Sequence, residues 1–186
     1  DLHNLTKDHR SIVRWTAVRA LGSAFSHLPN KDQGWQDLRR LIQDRDILVR
    51  RSAADALGSA FSHIPDKDQG WQDLCRLAKD QNSVVRMYAY HSLGRISVQN
   101  ASEADDTNKT RSKLESAVDF FDRSSQESHS FNLAGFCHAF YRSYLALAFQ
   151  GASSDEVQRY LAEARNAIGS SENKRELFGA VENLAR

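Results

Sequence analysis

The chain has 186 residues, with 25 Lys/Arg against 24 Asp/Glu and a net charge of +1, which leaves room for one or two small domains. That balance excludes the strongly basic composition of a dedicated nucleic-acid binder. No apolar run approaches the roughly 18 residues needed to cross a bilayer. Two cysteines, Cys75 and Cys137, lie far apart with no knuckle spacing around them. They suggest neither a disulfide framework nor a metal site, which fits a cytoplasmic, reducing setting. Few β-branched residues, many Ala, Leu, Arg and Gln, and only two prolines argue for an all-α protein.

The charge is unevenly spread. Residues 1–100 hold 15 Lys/Arg, 11 Asp and no Glu, a balance of +4, whereas residues 101–186 hold 10 Lys/Arg and 13 acidic residues, a balance of −3. The change of acidic residue type near residue 100 marks two segments of different origin.

The first segment is an internal repeat with a period of 36 residues. The run from Ala20 to Leu38 recurs from Ala56 to Leu74, and only Leu28/Ile64 and Asn30/Asp66 differ. Asp1, Leu2 and Leu5 already align with Asp37, Leu38 and Leu41, so the chain is expected to open inside a repeat and to be a piece of a longer protein. A fixed period in this range predicts a solenoid, in which each unit hides its apolar face only against its neighbours.

Each unit divides into two helices. The shorter one follows Pro29 or Pro65. In the second copy Asp66 stands at its N-cap with Gln69 three residues on, the spacing of a capping box, and Trp71, Leu74 and Leu77 then fall on one face. The longer helix follows Asp8, Asp44 or Asp80. Its apolar positions in the first copy, Val13, Ala17, Ala20, Leu21, Ala24 and Leu28, keep the 3.6-residue period. Trp35 and Trp71 read as core residues. Leu57, with its period mates Leu21 and Leu93, is expected at the centre of the packing. His27 and His63 recur at the helix ends, where a basic group suits the dipole better than it suits a shared metal ion.

The pattern D-x-x-x-x-V-R-x-x-A-x-x-A-L-G, present as Asp8 to Gly22, Asp44 to Gly58 and less fully as Asp80 to Gly94, resembles the HEAT-like repeat, including the variant named after phycobilisome lyases. The resemblance covers residues 1 to about 98. The third copy departs from it with Tyr88, Tyr90 and Ser92, and after residue 98 the match stops. The resemblance implies stacked antiparallel helix pairs whose second helices line a concave face. It also implies that Asp8/Arg14, Asp44/Arg50 and Asp80/Arg86 form a ladder tying neighbouring repeats.

On a helical wheel the direction opposite the core holds Trp15/Arg51/Met87, Arg19/Asp55/His91, Gly22/Gly58/Gly94 and Ser26/Ser62/Val98. The first two sets vary from copy to copy over a nearly unchanged scaffold. Trp15, Arg19, Arg51, Asp55, Met87, His91 and Arg95 are therefore expected to form an exposed partner-binding row.

Residues 99–107 read as a polar linker. Four helices are predicted beyond it, at about 107–125, 129–150, 154–168 and 171–185. The second carries Phe131, Leu133, Phe136, Cys137, Phe140, Tyr141 and Tyr144, a stripe that reads as the core helix of a bundle. Ser153 and Glu156 make a capping-box start for the third, and Leu177, Val181 and Leu184 mark the apolar face of the fourth.

The expected architecture is thus a HEAT-like α-solenoid of two full repeats plus a truncated first one over residues 1–98, with a small helical bundle over 108–186. The expected function is a non-catalytic interaction scaffold for a protein or peptide partner. A nucleic-acid-binding module, similar to HEAT-like DNA glycosylases with a basic, Trp-bearing concave face, is the alternative. An enzyme reading lacks its motifs. HEAT-like deoxyhypusine hydroxylases hold iron with His-Glu pairs, and no such dipeptide occurs here. No phosphate loop, zinc-binding helix or nucleophile triad is visible either, so no catalytic, metal or cofactor residue is expected.

Overall fold

The computed structural model describes residues 1–127, 134–168 and 174–184, and every regular element among them is helical. In chain order these are α1 (Leu2–Leu5), α2 (Ser11–Ala24), α3 (Lys31–Leu41), α4 (Ile47–Ala60), α5 (Lys67–Leu77), α6 (Ser83–Ser102), α7 (Thr107–Gln126), α8 (Gly135–Phe149), α9 (Ser154–Ile168) and α10 (Lys174–Leu184). Short 3₁₀ turns, Phe25–His27 and Phe61–His63, end α2 and α4.

The cap chemistry explains the boundaries. Asn30 and Asp66 accept the backbone N–H of Gln33 and Gln69 at 2.9 Å and so start α3 and α5. Asp46 and Asn82 accept two N–H groups each at the heads of α4 and α6. These contacts satisfy donors that a helix start otherwise leaves open. α2 has Arg10 at that position and no side-chain cap. At the head of α9 the Ser153 hydroxyl accepts the backbone N–H of Glu156 at 3.3 Å.

α2, α4 and α6 lie side by side as one layer, with α3 and α5 packed on its other face. Leu21, Leu57 and Leu93 are all buried between the two layers, as are Leu38 and Leu74. Trp35 is buried, and Trp71 is half-buried with its ring edge-on to Phe120 at 5.8 Å.

The glycine shared by all three copies sets the spacing of the layer. A Cβ on Gly22 would lie 2.7 Å from the Cα of Ala56, and one on Gly58 2.6 Å from the Cβ of Ser92. Only a residue without a side chain permits that approach. Ser92 uses it to donate a 3.0 Å hydrogen bond to the carbonyl of Ala54.

The repeat ends differently from the sequence reading. Residues 99–102 are not linker but the last turn of α6, and the chain turns only between Ser102 and Thr107. α7 then runs back along α6, in its most extensive helix–helix contact, on the side where a further layer helix would lie. Phe121 fills the place opposite Gly94. α8 packs between α7 and α9, and α10 closes on α9. Val157, Leu161, Ala164, Ile168 and Val181 are buried there, while Phe136, Phe140 and Tyr141 are half-buried and Tyr144 is exposed. Phe131 and Leu133, and the start expected for that helix near residue 129, lie outside the described residues.

Candidate functional site

Two ladders hold the stack together. Arg14 donates from Nε and Nη2 to Asp44 at 2.7 and 2.8 Å, while its Nη1 binds the carbonyls of Asp8 and His9. Arg50 repeats the arrangement with Asp80 at 2.7 and 3.1 Å and with the carbonyl of Asp44. Arg86 has no Asp at the next period position and instead takes Glu127, just past α7, at 2.8 and 2.6 Å. Each fork ties one repeat to the following element and also fixes its own turn, a bidentate geometry that guanidinium supplies. Burial opposes ionisation of Asp44, but the bonds from Arg14 and from the backbone of Asp46 hold its carboxyl below the usual range. Asp80 is likewise lowered, mainly by Arg50.

The second ladder escaped the sequence reading. His3 Nδ1 meets Asp37 Oδ2 at 2.7 Å, and Arg39 Nε donates to Asp73 Oδ2 at 3.1 Å, both linking successive short helices. Both aspartates are buried. An Asp kept in both copies between Trp and Leu of an otherwise apolar face was the available signal.

The proposed row does not stay together. Trp15 is half-buried against the main core, with Arg19 over its ring at 5.2 Å. Arg51 lies over Tyr88 at 5.1 Å, and Arg95 reaches Asp55 at 3.5 Å and Ser59 at 3.5 Å. These residues share the outward side of α2, α4 and α6. Met87 does not: it is 2% exposed, and its carbonyl accepts a 2.8 Å bond from the Ser124 hydroxyl of α7. His91 is largely covered, its ring 5.8 Å from that of Phe121 and its Nδ1 sealed without a partner. Burial, then the nearby Arg95 charge, pushes its pKa down to about 4.

The physical reason is directional. The wheel direction through positions 15, 22 and 26 points partly toward the next helix of the layer, as the glycine contacts require. In the third copy that neighbour is α7, with α8 beyond it. Burial there also pushes the Cys137 thiol up to about 11.

The stripe that reaches solvent is rotated slightly from the expected one. It reads Ile12, Thr16, Arg19 and Ser23 on α2, then Leu48, Arg51, Asp55 and Ser59 on α4, then Val84, Tyr88 and Arg95 on α6, with Arg51, Asp55, Val84 and Tyr88 half-buried and the others exposed. Ile12 and Leu48 are 57% and 48% exposed. Their period position is aliphatic in all three copies, a signal present in the sequence and not used.

Most arginines of the array face carboxylates: Arg10 meets Asp8, Arg39 and Arg76 meet Asp73, Arg40 meets Asp37 and Arg95 meets Asp55, besides the three ladder residues. Arg45, in the turn before α4, has no ion pair among the described residues. Arg19 and Arg51 instead lie over rings, and no carboxylate among the described residues pairs with either. The buried Nε of Arg51 and Nε1 of Trp15 have no acceptor among the described residues. No group of three His, Cys, Asp or Glu side chains that could hold a metal occurs among the described residues. His27 and His63 are exposed, and His63 meets Ser62 at 2.8 Å. No helix among the described residues is long and apolar enough to cross a membrane.

Comparison with known proteins agrees with this geometry. The family model described as HEAT repeats matches residues 36–119, from within α3 into α7. The match supports a HEAT-like repeat family for the all-helical stack. A search of curated proteins gives no match.

Proposed function

We propose that this chain is a non-catalytic interaction scaffold whose partner, a protein or peptide, binds across the outward face of α2, α4 and α6. One observation carries the reading: Arg19 and Arg51, without a carboxylate partner among the described residues, share that face with the exposed aliphatic side chains Ile12 and Leu48. HEAT repeats are commonly scaffolds of this kind, and the match over residues 36–119 adds to it. Trp15, Arg19, Arg51, Asp55 and Arg95 keep their place in the site; Met87 and His91 leave it for the contact with α7. Residues 1–98 are the binding unit in this reading, and 108–186 a second unit that covers the end of the layer. The resemblance of the D-x-x-x-x-V-R pattern to the phycobilisome-lyase-type variant supports that subfamily for the repeats, and two cysteines without knuckle or disulfide spacing support action in the cytoplasm.

The test is affinity capture with the full chain against the Trp15→Ala/Arg51→Glu double variant. Loss of the captured partner is expected, and undiminished capture contradicts the site. A nucleic-acid reading draws on the same arginines. A titration with duplex DNA separates it, because phosphate contacts make affinity fall steeply with salt.

A further inference from the structure

We infer that the partner segment is acidic and carries apolar anchors, so that Arg19 and Arg51 receive its carboxylates while Ile12, Leu48 and Val84 receive its aliphatic side chains. This rests on the outward-face reading above and adds the chemistry of what binds there.

The charge argument is local. Asp55, the one acid named on the stripe, is met by Arg95 at 3.5 Å, which leaves Arg19 and Arg51 as the uncompensated charges. The guanidinium of each lies over an aromatic ring, 5.2 Å from the centroid of Trp15 and 5.1 Å from that of Tyr88. A cation over a ring face is attracted there and keeps N–H groups to donate elsewhere. The Nε of Arg51 is buried, so its terminal Nη groups are the donors a carboxylate would meet, beside the guanidinium of exposed Arg19.

The apolar argument is one of register. Ile12, Leu48 and Val84 recur at the 36-residue period, one per layer helix, at the N-terminal end of each. Packed helices sit about 8–10 Å apart, so the three form a row with that spacing beside the arginines. Residues i and i+3 of a polyproline-II segment share a face and are about 9.3 Å apart, and residues i and i+7 of a helix about 10.5 Å. Either conformation can set one apolar side chain on each helix while acidic neighbours fall on the cation side. A phosphate backbone has no use for an aliphatic row with an acid beside it, which favours the peptide over a nucleic acid.

The experiment is a selection of random displayed peptides on the full chain, repeated on Arg19→Glu/Arg51→Glu and on Leu48→Asp, with thermal melts confirming that each variant folds. Arg19→Glu alone, at an exposed position, serves if the double variant does not fold. The expected result is enrichment of net-negative peptides with regularly spaced Leu, Ile or Phe. Their binding should weaken about tenfold or more on Leu48→Asp, and the charge preference should invert on the arginine variants. Peptides that depend on Leu48 but are neutral or basic overturn the acidic partner and leave the outward-face site standing. Selected peptides indifferent to all the variants overturn both. Duplex DNA that binds the full chain more tightly than any selected peptide overturns the peptide in favour of nucleic acid.

Discussion

The two halves of the molecule solve the same packing problem by different means. In the repeat array, successive helices of one layer approach through a shared glycine, and each is pinned to the next by an arginine fork. Among the described residues of α7 to α10, bulky rings and aliphatic side chains fill the space, with no 36-residue period and few ion pairs between helices. The junction shows the change of method within one helix. α6 still offers Arg86 and Gly94 at the repeat positions, but they receive Glu127 and Phe121 from a helix running the opposite way. A periodic surface leaves an outward face open at each repeat. The aperiodic half covers the end of the layer instead, where Gly94 meets Phe121.

The largest expected effect lies in the array core. Leu57 is 0% exposed, and Leu57→Ala should cost about 2–5 kcal/mol, read from thermal or denaturant melts. A loss below about 1 kcal/mol would remove Leu57 from the centre of the packing.

Acid should separate the halves next. His91 titrates near 4 in the folded protein against 6.5 when free, so the unfolded chain takes up its proton first. The stability that depends on neutral His91 is full above pH 6.5 and is lost as pH falls toward 4, about 3 kcal/mol in all. Asp44 and Asp80 have lowered values, so the ladder contributes fully above their unfolded range near 4 and weakens only below it. Hydrogen exchange between pH 6.5 and 4.5 should therefore rise at the α6–α7 contact before it rises at the α2–α4 contact. His91→Leu should abolish that order.

Glycine substitutions sharpen the contrast. Gly22→Ala forces a Cβ to within 2.7 Å of the neighbouring backbone and should cost about 1–3 kcal/mol. Gly179 in α10 has nothing within 4 Å of the same added atom, so Gly179→Ala should stabilise by about 0.5–1 kcal/mol. The smallest effect on stability belongs to the outward face, where Arg19→Glu should stay within about 0.5 kcal/mol.

How far the sequence could be read follows the same division. The period, the two helices per unit, the Asp66 cap and the burial of Leu21, Leu57 and Leu93 were legible because each repeat is its own internal control. The last turn of α6 was not, since Gln99 to Ser102 is polar and resembles a linker when taken alone. Met87 and His91 were misplaced for a tertiary reason: a wheel shows which residues leave a core, but not which neighbour they meet. Gly22, Gly58 and Gly94 held the missing clue, for a glycine kept in three successive helices marks close approach rather than solvent. Ile12, Leu48 and Val84 were legible and unused, because aliphatic residues at a helix start read as core.

The central claim is that the outward face of α2 and α4 binds while α7 to α10 cover the end of the layer. Hydrogen exchange of the full chain with and without a selected peptide tests it most directly. Slowed exchange is expected in residues 11–24 and 47–60, with 135–149 and 154–168 unchanged. Slowing confined to 135–168, with none in α2 or α4, would contradict it.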